Sequence, residues 1–252
     1  MVLELDKLFQ GIFIFVFVII TLIVGVKISL GYIKHKKIEF FYVGIAWIGM
    51  AVPWLPDAIV FLVLLFNVPV SVWYINAEWY LVLGTGFIPF FITFWLAALK
   101  NLIYIKKGTI ILIINIIVGI IYEIFFFYLL FTDSSQLGTF EGIYESRFGL
   151  LIRIYIVYSL IVIIITGLHF GISAQKSDNP EAKLKGKFLI IAFITFILGS
   201  ISDTGLIFIA SDPIGITKLV LMASSIEFYI GYVLPEWARN LFLKQKSKFS
   251  FN

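Results

Sequence analysis

The sequence predicts an all-α integral membrane protein, a seven-transmembrane-helix bundle with its N-terminus outside and its C-terminus in the cytoplasm. Three observations predict it. Of the 252 residues, 61% are hydrophobic and 13% charged, and the mean hydropathy is +1.06. A soluble domain is about half apolar and about a quarter charged. The apolar residues come in charge-free runs such as Gly11–Val26 and Thr109–Gly119, approaching the ~20 residues a helix needs to cross a ~30 Å hydrocarbon layer. Lysine, finally, collects in every second connection between the runs. Water is absent from the bilayer core, so each run must satisfy its own backbone as a helix. Barrel strands alternate polar and apolar residues, and these runs do not.

The first span, 8–32, follows an acidic start, Met1-Val-Leu-Glu-Leu-Asp6. A cleaved leader opens on positive charge, so this helix is expected to stay as an anchor. The second span, 39–66, carries Pro53 and Pro56. The third, 76–102, begins in an aromatic cluster of Trp73, Tyr74, Trp79 and Tyr80, which suits a membrane boundary. Its Gly84 and Gly86, just before Pro89, are either a packing notch or a kink. The fourth, 108–132, sets Asn115, Gly119 and Glu123 on one helical stripe. The fifth, 148–174, follows the connection Asp133–Arg147, and the sixth, 186–210, follows Gln175–Lys187. The seventh, 214–243, runs through Pro235 into a short basic tail. No linker or composition shift divides residues 1–252, so one transmembrane domain is expected. A duplicated transporter should place proline at matching points of the first and fifth spans, and neither span contains proline.

Orientation follows from the lysines. Lys34, Lys36 and Lys37 follow the first span, and Lys106 and Lys107 the third, with Lys100 just inside it. Lys176, Lys183, Lys185 and Lys187 follow the fifth, and Lys244, Lys246 and Lys248 the seventh. The opposite side holds Lys7 and Arg147 beside Glu4, Asp6, Asp133, Glu141, Glu145 and Asp212. Short cytoplasmic loops are enriched in Lys and Arg, which puts the N-terminus outside in a multi-pass protein of the cell membrane. The net charge of +4 therefore reports topology, and no nucleic-acid partner is expected. The basic tail is also placed to touch anionic headgroups of the lipid bilayer.

An ionisable residue inside the membrane is costly and is by default a site candidate. Asp57, Glu78, Glu123, Arg153, Asp203, Lys218 and Glu227 are such residues and form the candidate ligand-binding set. Counted from the outer end of each span, Arg153 and Lys218 lie on the order of 8 Å deep, Asp203 about 10 Å, and Asp57 and Glu123 about 14 Å. These heights suggest an outward-opening polar pocket, with Arg153 paired to Asp203 and Lys218 balancing Asp57 or Glu123. Glu227 lies about 180° around its helix from Lys218 and forms a second locus with Ser224. The segment Gly199-Ser-Ile-Ser-Asp-Thr-Gly205 puts three hydroxyls and an Asp in one stretch flanked by glycines. The same charges can instead simply hold a bundle together.

Several chemistries are missing. The chain has no cysteine and two histidines, His35 and His169, which fall in different parts of the chain. A zinc hydrolase needs three converging ligands, so no metal site is expected. No Gly-x-Ser-x-Gly, phosphate-binding loop or dinucleotide fingerprint occurs. No catalytic residues are assigned and the reading leans away from an enzyme, with a lipid-acting enzyme as the residual possibility.

Size, helix number and orientation resemble the microbial rhodopsins. In that family a lysine within the seventh helix carries retinal, with an Asp four residues earlier. Here Lys218 is the candidate, but it lies near the helix start and Ile214 stands four before it. The third-helix Arg and Asp pattern and the sixth-helix Trp-x-x-Tyr-Pro pattern are absent, so retinal on Lys218, or any other cofactor, is not expected. Asn179-Pro-Glu181, Lys185-Gly-Lys-Phe188 and Gly231-Tyr-Val-Leu-Pro-Glu-Trp237 resemble segments of archaeal seven-helix membrane proteins of uncharacterised role. They are also similar to segments in the seven-helix input modules of prokaryotic sensors. That resemblance carries over no functional residues, and a sensor of this kind would need a separate partner. Taken with the intramembrane charges, the leading reading is a receptor-like sensor that binds a small ligand in its outer half. It would signal to a cytoplasmic partner at the Lys176–Lys187 loop, the inner connection with room for one. The alternatives are a small cation or proton transporter or channel, running past Asp57, Glu123, Asp203 and Glu227, and the lipid-acting enzyme.

Overall fold

The computed structural model describes residues 4–66, 77–103, 107–142, 144–203 and 216–248. Trp73, Tyr74, Lys106, Asp212 and the stretch 204–215, which holds the predicted end of the sixth span, lie outside the described residues. The rest is an α-helical membrane bundle. Six helices are long and apolar enough to cross a membrane, or seven if one sharply bent pair counts as a span, among the described residues.

Helix α1 spans Leu5–His35 and ends where Lys36 turns left-handed (φ 56°), its N–H capping the Tyr32 carbonyl. The second span starts as α2, Ile38–Ala51, tightens into a 3-10 turn at Val52–Trp54, and resumes as α3, Leu55–Leu65. Pro53 and Pro56 cause the break, because proline has no N–H to donate and clashes with the turn before it. The third span is broken too. Helix α4, Ala77–Leu81, passes through a π-helical turn at Val82–Gly86 into α5, Ile88–Leu102, with Pro89 in its first turn. The glycines before Pro89 are therefore both notch and kink, since Gly84 packs on Pro56. The two interruptions touch each other.

Helix α6, Gly108–Thr132, coincides with the predicted fourth span. Its buried residues are Gly108, Asn115, Gly119, Tyr122 and Phe126, one narrow stripe, while Ile113, Ile117, Ile120 and Ile124 are exposed. Such a face is at home against lipid, so α6 stands at the rim.

The connection that follows is not plain coil. After a 3-10 turn at Ser134–Gln136 it forms a hairpin of β1, Gly138–Gly142, and antiparallel β2, Glu145–Phe148, with Thr139 opposite Arg147. The all-α expectation missed this because a two-stranded ribbon has little signal of its own. It holds here by packing against α4.

Helices α7, Leu150–Gln175, and α8, Pro180–Asp203, come next. Helix α8 begins six residues before the predicted sixth span, at Pro180 rather than 186. Asn179 Oδ1 accepts the Glu181 N–H at 2.8 Å, and Pro180 follows it at the first helical position, a strong start signal. The Lys176–Lys187 loop therefore shrinks to Lys176–Asn179, and Lys183, Lys185 and Lys187 ride on the helix. The seventh span is also corrected. Helix α9, Ile216–Val233, stops at Leu234-Pro235, and α10, Glu236–Lys248, leaves it at 84°.

The packing repeats one helix crossing at two places, which the proline test did not reveal. A Cβ on Gly25 of α1 would lie 2.6 Å from Ile48 Cγ1 and 2.8 Å from the Gly44 carbonyl of α2. A Cβ on Gly171 of α7 would lie 2.6 Å from Ile190 Cγ1 and 3.1 Å from the Gly186 carbonyl of α8. The reverse contacts match as well: Gly44 and Gly186 would each bring a Cβ to 2.5 Å from the carbonyl of Gly25 or Gly171. Helix α5 then packs on α2 as α9 does on α8, and α1 meets α9 as α7 meets α5. Only the crossing points are shared, so prolines carry no trace of them. Gly44→Ala and Gly186→Ala are expected to cost about 1–3 kcal/mol each, and similarly, because both push backbone against backbone. Gly86→Ala, whose Cβ would meet nothing closer than 3.5 Å, should be tolerated. Thermal unfolding of the purified variants checks this.

Between the two triplets lies an aromatic core. Trp47 stacks on Phe228 with centroids 3.5 Å apart, and Trp95 and Phe193 pack beside them.

Candidate functional site

Three of the predicted charges meet at the end of the bundle that carries the hairpin. The proline break puts Asp57 in the first turn of α3, where the helix N-terminus favours a carboxylate. Asp57 is buried, and Tyr80 of α4 donates to its Oδ1 at 2.5 Å. Asp203 ends the described part of α8 and Lys218 opens α9, and the two form an ion pair. Asp203 also accepts Trp54 Nε1–H at 2.5 Å and the Thr217 hydroxyl at 2.8 Å. The Lys218 charge acts on Asp57 as well. Two carboxylates thus share one ammonium in a low-dielectric interior, where isolated charge is costly and paired charge persists.

The hairpin closes this cluster. Ser146 of β2 shares a hydrogen bond with Tyr80. The Tyr144 hydroxyl is buried there with no hydrogen-bond partner among the described residues, and so, on α1, is Gln10 Oε1. A Cβ on Gly11 would come 2.6 Å from the Tyr144 hydroxyl, so the hairpin packs directly on α1. Burial, together with the Asp57 charge, pushes the Tyr144 phenol well above the usual tyrosine range. It therefore stays protonated and keeps a proton to donate.

Next to the cluster is an apolar cavity of about 70 Å³, several times the roughly 10–15 Å³ that admits one water. Met50, Trp54, Phe91, Trp95 and Phe196 form much of its wall, with the Ser159 and Ser200 hydroxyls among the few polar groups. Trp54 joins the two features. Its ring lines the cavity, and its Nε1–H holds Asp203.

The remaining candidates lie elsewhere. Arg153 is exposed on α7 and does not pair with Asp203, which Lys218 takes instead. The depth estimate could not decide this, because height along a helix says nothing of direction around it. Glu78 accepts the Ser134 hydroxyl at 2.9 Å and ties α4 to the turn after α6. Glu123 is half-buried on α6 beside Tyr122 and Tyr155. Glu227 takes Thr195 as partner, and its Oε2 is buried without one among the described residues. Ser224 bonds the Leu221 carbonyl instead. Of the seven candidates only Lys218 and Asp203 form an ion pair among the described residues, and the cavity beside them is apolar rather than lined by the charges.

Sequence reasoning missed Trp54, Thr217, Tyr144, Ser146 and Gln10. Trp54 had a signal, being three residues before Asp57 and so on its face. Tyr80 was read as a boundary aromatic with Trp79, but Trp79 is exposed and Tyr80 is buried. The chain matches no protein-family model, no curated protein and no solved structure.

Proposed function

We propose that this chain is a receptor-like, seven-span protein of the cell membrane, N-terminus outside. It binds a small, mostly apolar molecule with a cationic or hydrogen-donating end. The observation that carries the reading is Trp54, shared between the apolar wall and the Asp203 carboxylate. A ligand body would fill the cavity, and its polar end would meet a cluster with one more carboxylate than ammonium groups. Binding there would bias the interrupted helices α2–α3 and α4–α5, and their far ends would pass the shift to a separate partner at the lysine-bearing end. Ligands of this kind select among pre-existing helix arrangements according to their differential affinity.

A thermal-shift screen of the detergent-purified protein tests this with hydrophobic amines and their neutral isosteres. An amine at a hundred times its Kd should add about 2.7 kcal/mol of stability. Ser159→Leu, which fills the cavity without touching an ion, should abolish that gain and leave the unliganded protein folded. Equal shifts with and without the Leu would sink the reading.

One observation favours transport as a second reading. Two interrupted spans meet beside buried charges, and discontinuous helices often form the sites of small transporters. Cation or proton flux into liposomes that is lost in Asp57→Asn would move the assignment there.

A further inference from the structure

We propose that α10 is a membrane-surface helix that binds the anionic headgroups of the bilayer around it. Its direction is set by the chain. Leu234 adopts φ 54° and its N–H caps the Ile230 carbonyl at 2.9 Å. Pro235 then blocks continuation of α9. The 84° turn lays α10 across the end of a membrane-crossing helix, that is, along the membrane plane.

One side of α10 is anchored to the protein. Ala238 is fully buried in a cluster with Ile230 and Leu234 against Leu184 and Phe188 of α8. Phe242 meets the Phe188 ring at 5.2 Å, and Arg239 pairs with Glu181 at 3.5 Å. Beside that contact the apolar arc continues uncovered. Trp237 is 56% exposed and Leu241, one turn on, 50%. The rest of the helix is polar or basic, with Arg239 and Asn240 exposed and Lys244, Lys246 and Lys248 in the last turns.

Trp237, Leu241, Lys244 and Lys248 follow one another at helical spacing, so the uncovered arc runs from aromatic and aliphatic to basic along α10. Lysines at the end of an apolar arc reach the headgroups while their stems stay with the chains, which suits a helix at the boundary between headgroup and chain. Its neighbourhood reinforces the charge. Lys176, Lys183 and Lys187 are exposed on or beside the first turns of α8, the helix that α10 rests on. A neutral surface would accept the apolar arc alone. The clustered lysines match anionic phosphates, whose attraction is worth roughly a five-fold gain in binding per basic residue near the surface.

The absence of cysteine makes the test clean. The full chain carrying Trp237→Cys, Leu241→Cys or Asn240→Cys is spin-labelled in nanodiscs of phosphatidylcholine with or without phosphatidylglycerol. Labels at 237 and 241 should be reached by lipid-dissolved oxygen, and the label at 240 by a water-soluble nickel chelate. Native mass spectrometry should show retained phosphatidylglycerol, and its affinity should fall roughly five-fold for each of Lys244→Gln, Lys246→Gln and Lys248→Gln. Water exposure at 237 and 241, or protection of both from oxygen by a second copy of the chain, would overturn the surface helix. Equal retention of the neutral and anionic lipids would overturn the headgroup recognition.

Discussion

Lys218→Met is expected to lower stability by about 3–5 kcal/mol, the cost of breaking a buried ion pair from one side. Both partners are well enclosed, with side chains 6% and 11% exposed for Lys218 and Asp203, so solvent screens little of the effect. The substitution keeps the length of the side chain and most of its apolar contacts. What it removes is, among the described residues, the ammonium between Asp57 and Asp203. Asp203 would still accept from Trp54 and Thr217, and Asp57 from Tyr80, but neither carboxylate would have a counter-charge. Adding Asp203→Asn to Lys218→Met should therefore recover part of the loss, because one uncompensated anion disappears. Thermal unfolding in detergent, with the double-mutant cycle, checks this. Lys218→Met melting like the parent would mean that the three charges do not share a buried site.

Trp47→Ala should be comparably severe, at about 3–5 kcal/mol for a large aromatic removed from a packed interior. The ring is 1% exposed and lies flat on Phe228, with Phe193 and Phe196 at its edges. It sits between the two glycine-crossed triplets, so the void would open where no single helix can relax to fill it. Trp47→Phe should come close to the parent. The Trp47 Nε1–H has no hydrogen-bond partner among the described residues, and losing an unpaired donor removes a desolvation cost rather than a bond. Trp95→Phe should be worse than Trp47→Phe, because Trp95 Nε1 donates to Thr166 Oγ1 at 2.8 Å. A large loss in Trp47→Phe would show that the indole nitrogen has a partner after all.

The membrane class and most helix boundaries were legible in the residues. The run from Gly108 to Thr132 has no interior proline and no lysine, and no other element matches its span more closely. Spans are readable in this way because hydrocarbon imposes the same demand, a long apolar helix, on every one of them. Local backbone chemistry is written in the residues as well. Asn179-Pro180 starts a helix, and Leu234-Pro235 ends one. Average hydropathy hides both, since it sums side chains and ignores which N–H groups are capped.

What the sequence by itself determined is therefore the solvent and the set of charges that must find partners: Asp57, Asp203 and Lys218 could not stay unpaired in a bilayer. Which partners they took was a matter of helix rotation and crossing, and only the tertiary structure decided it. Arg153 and Lys218 stand at similar estimated depth, yet one points out of the bundle and the other into it. The direction is set by contacts between helices, such as those of α9 with α8 and α1 and the glycine crossings at Gly25–Gly44 and Gly171–Gly186. These act between residues distant in the chain, so hydropathy and periodicity carry no record of them.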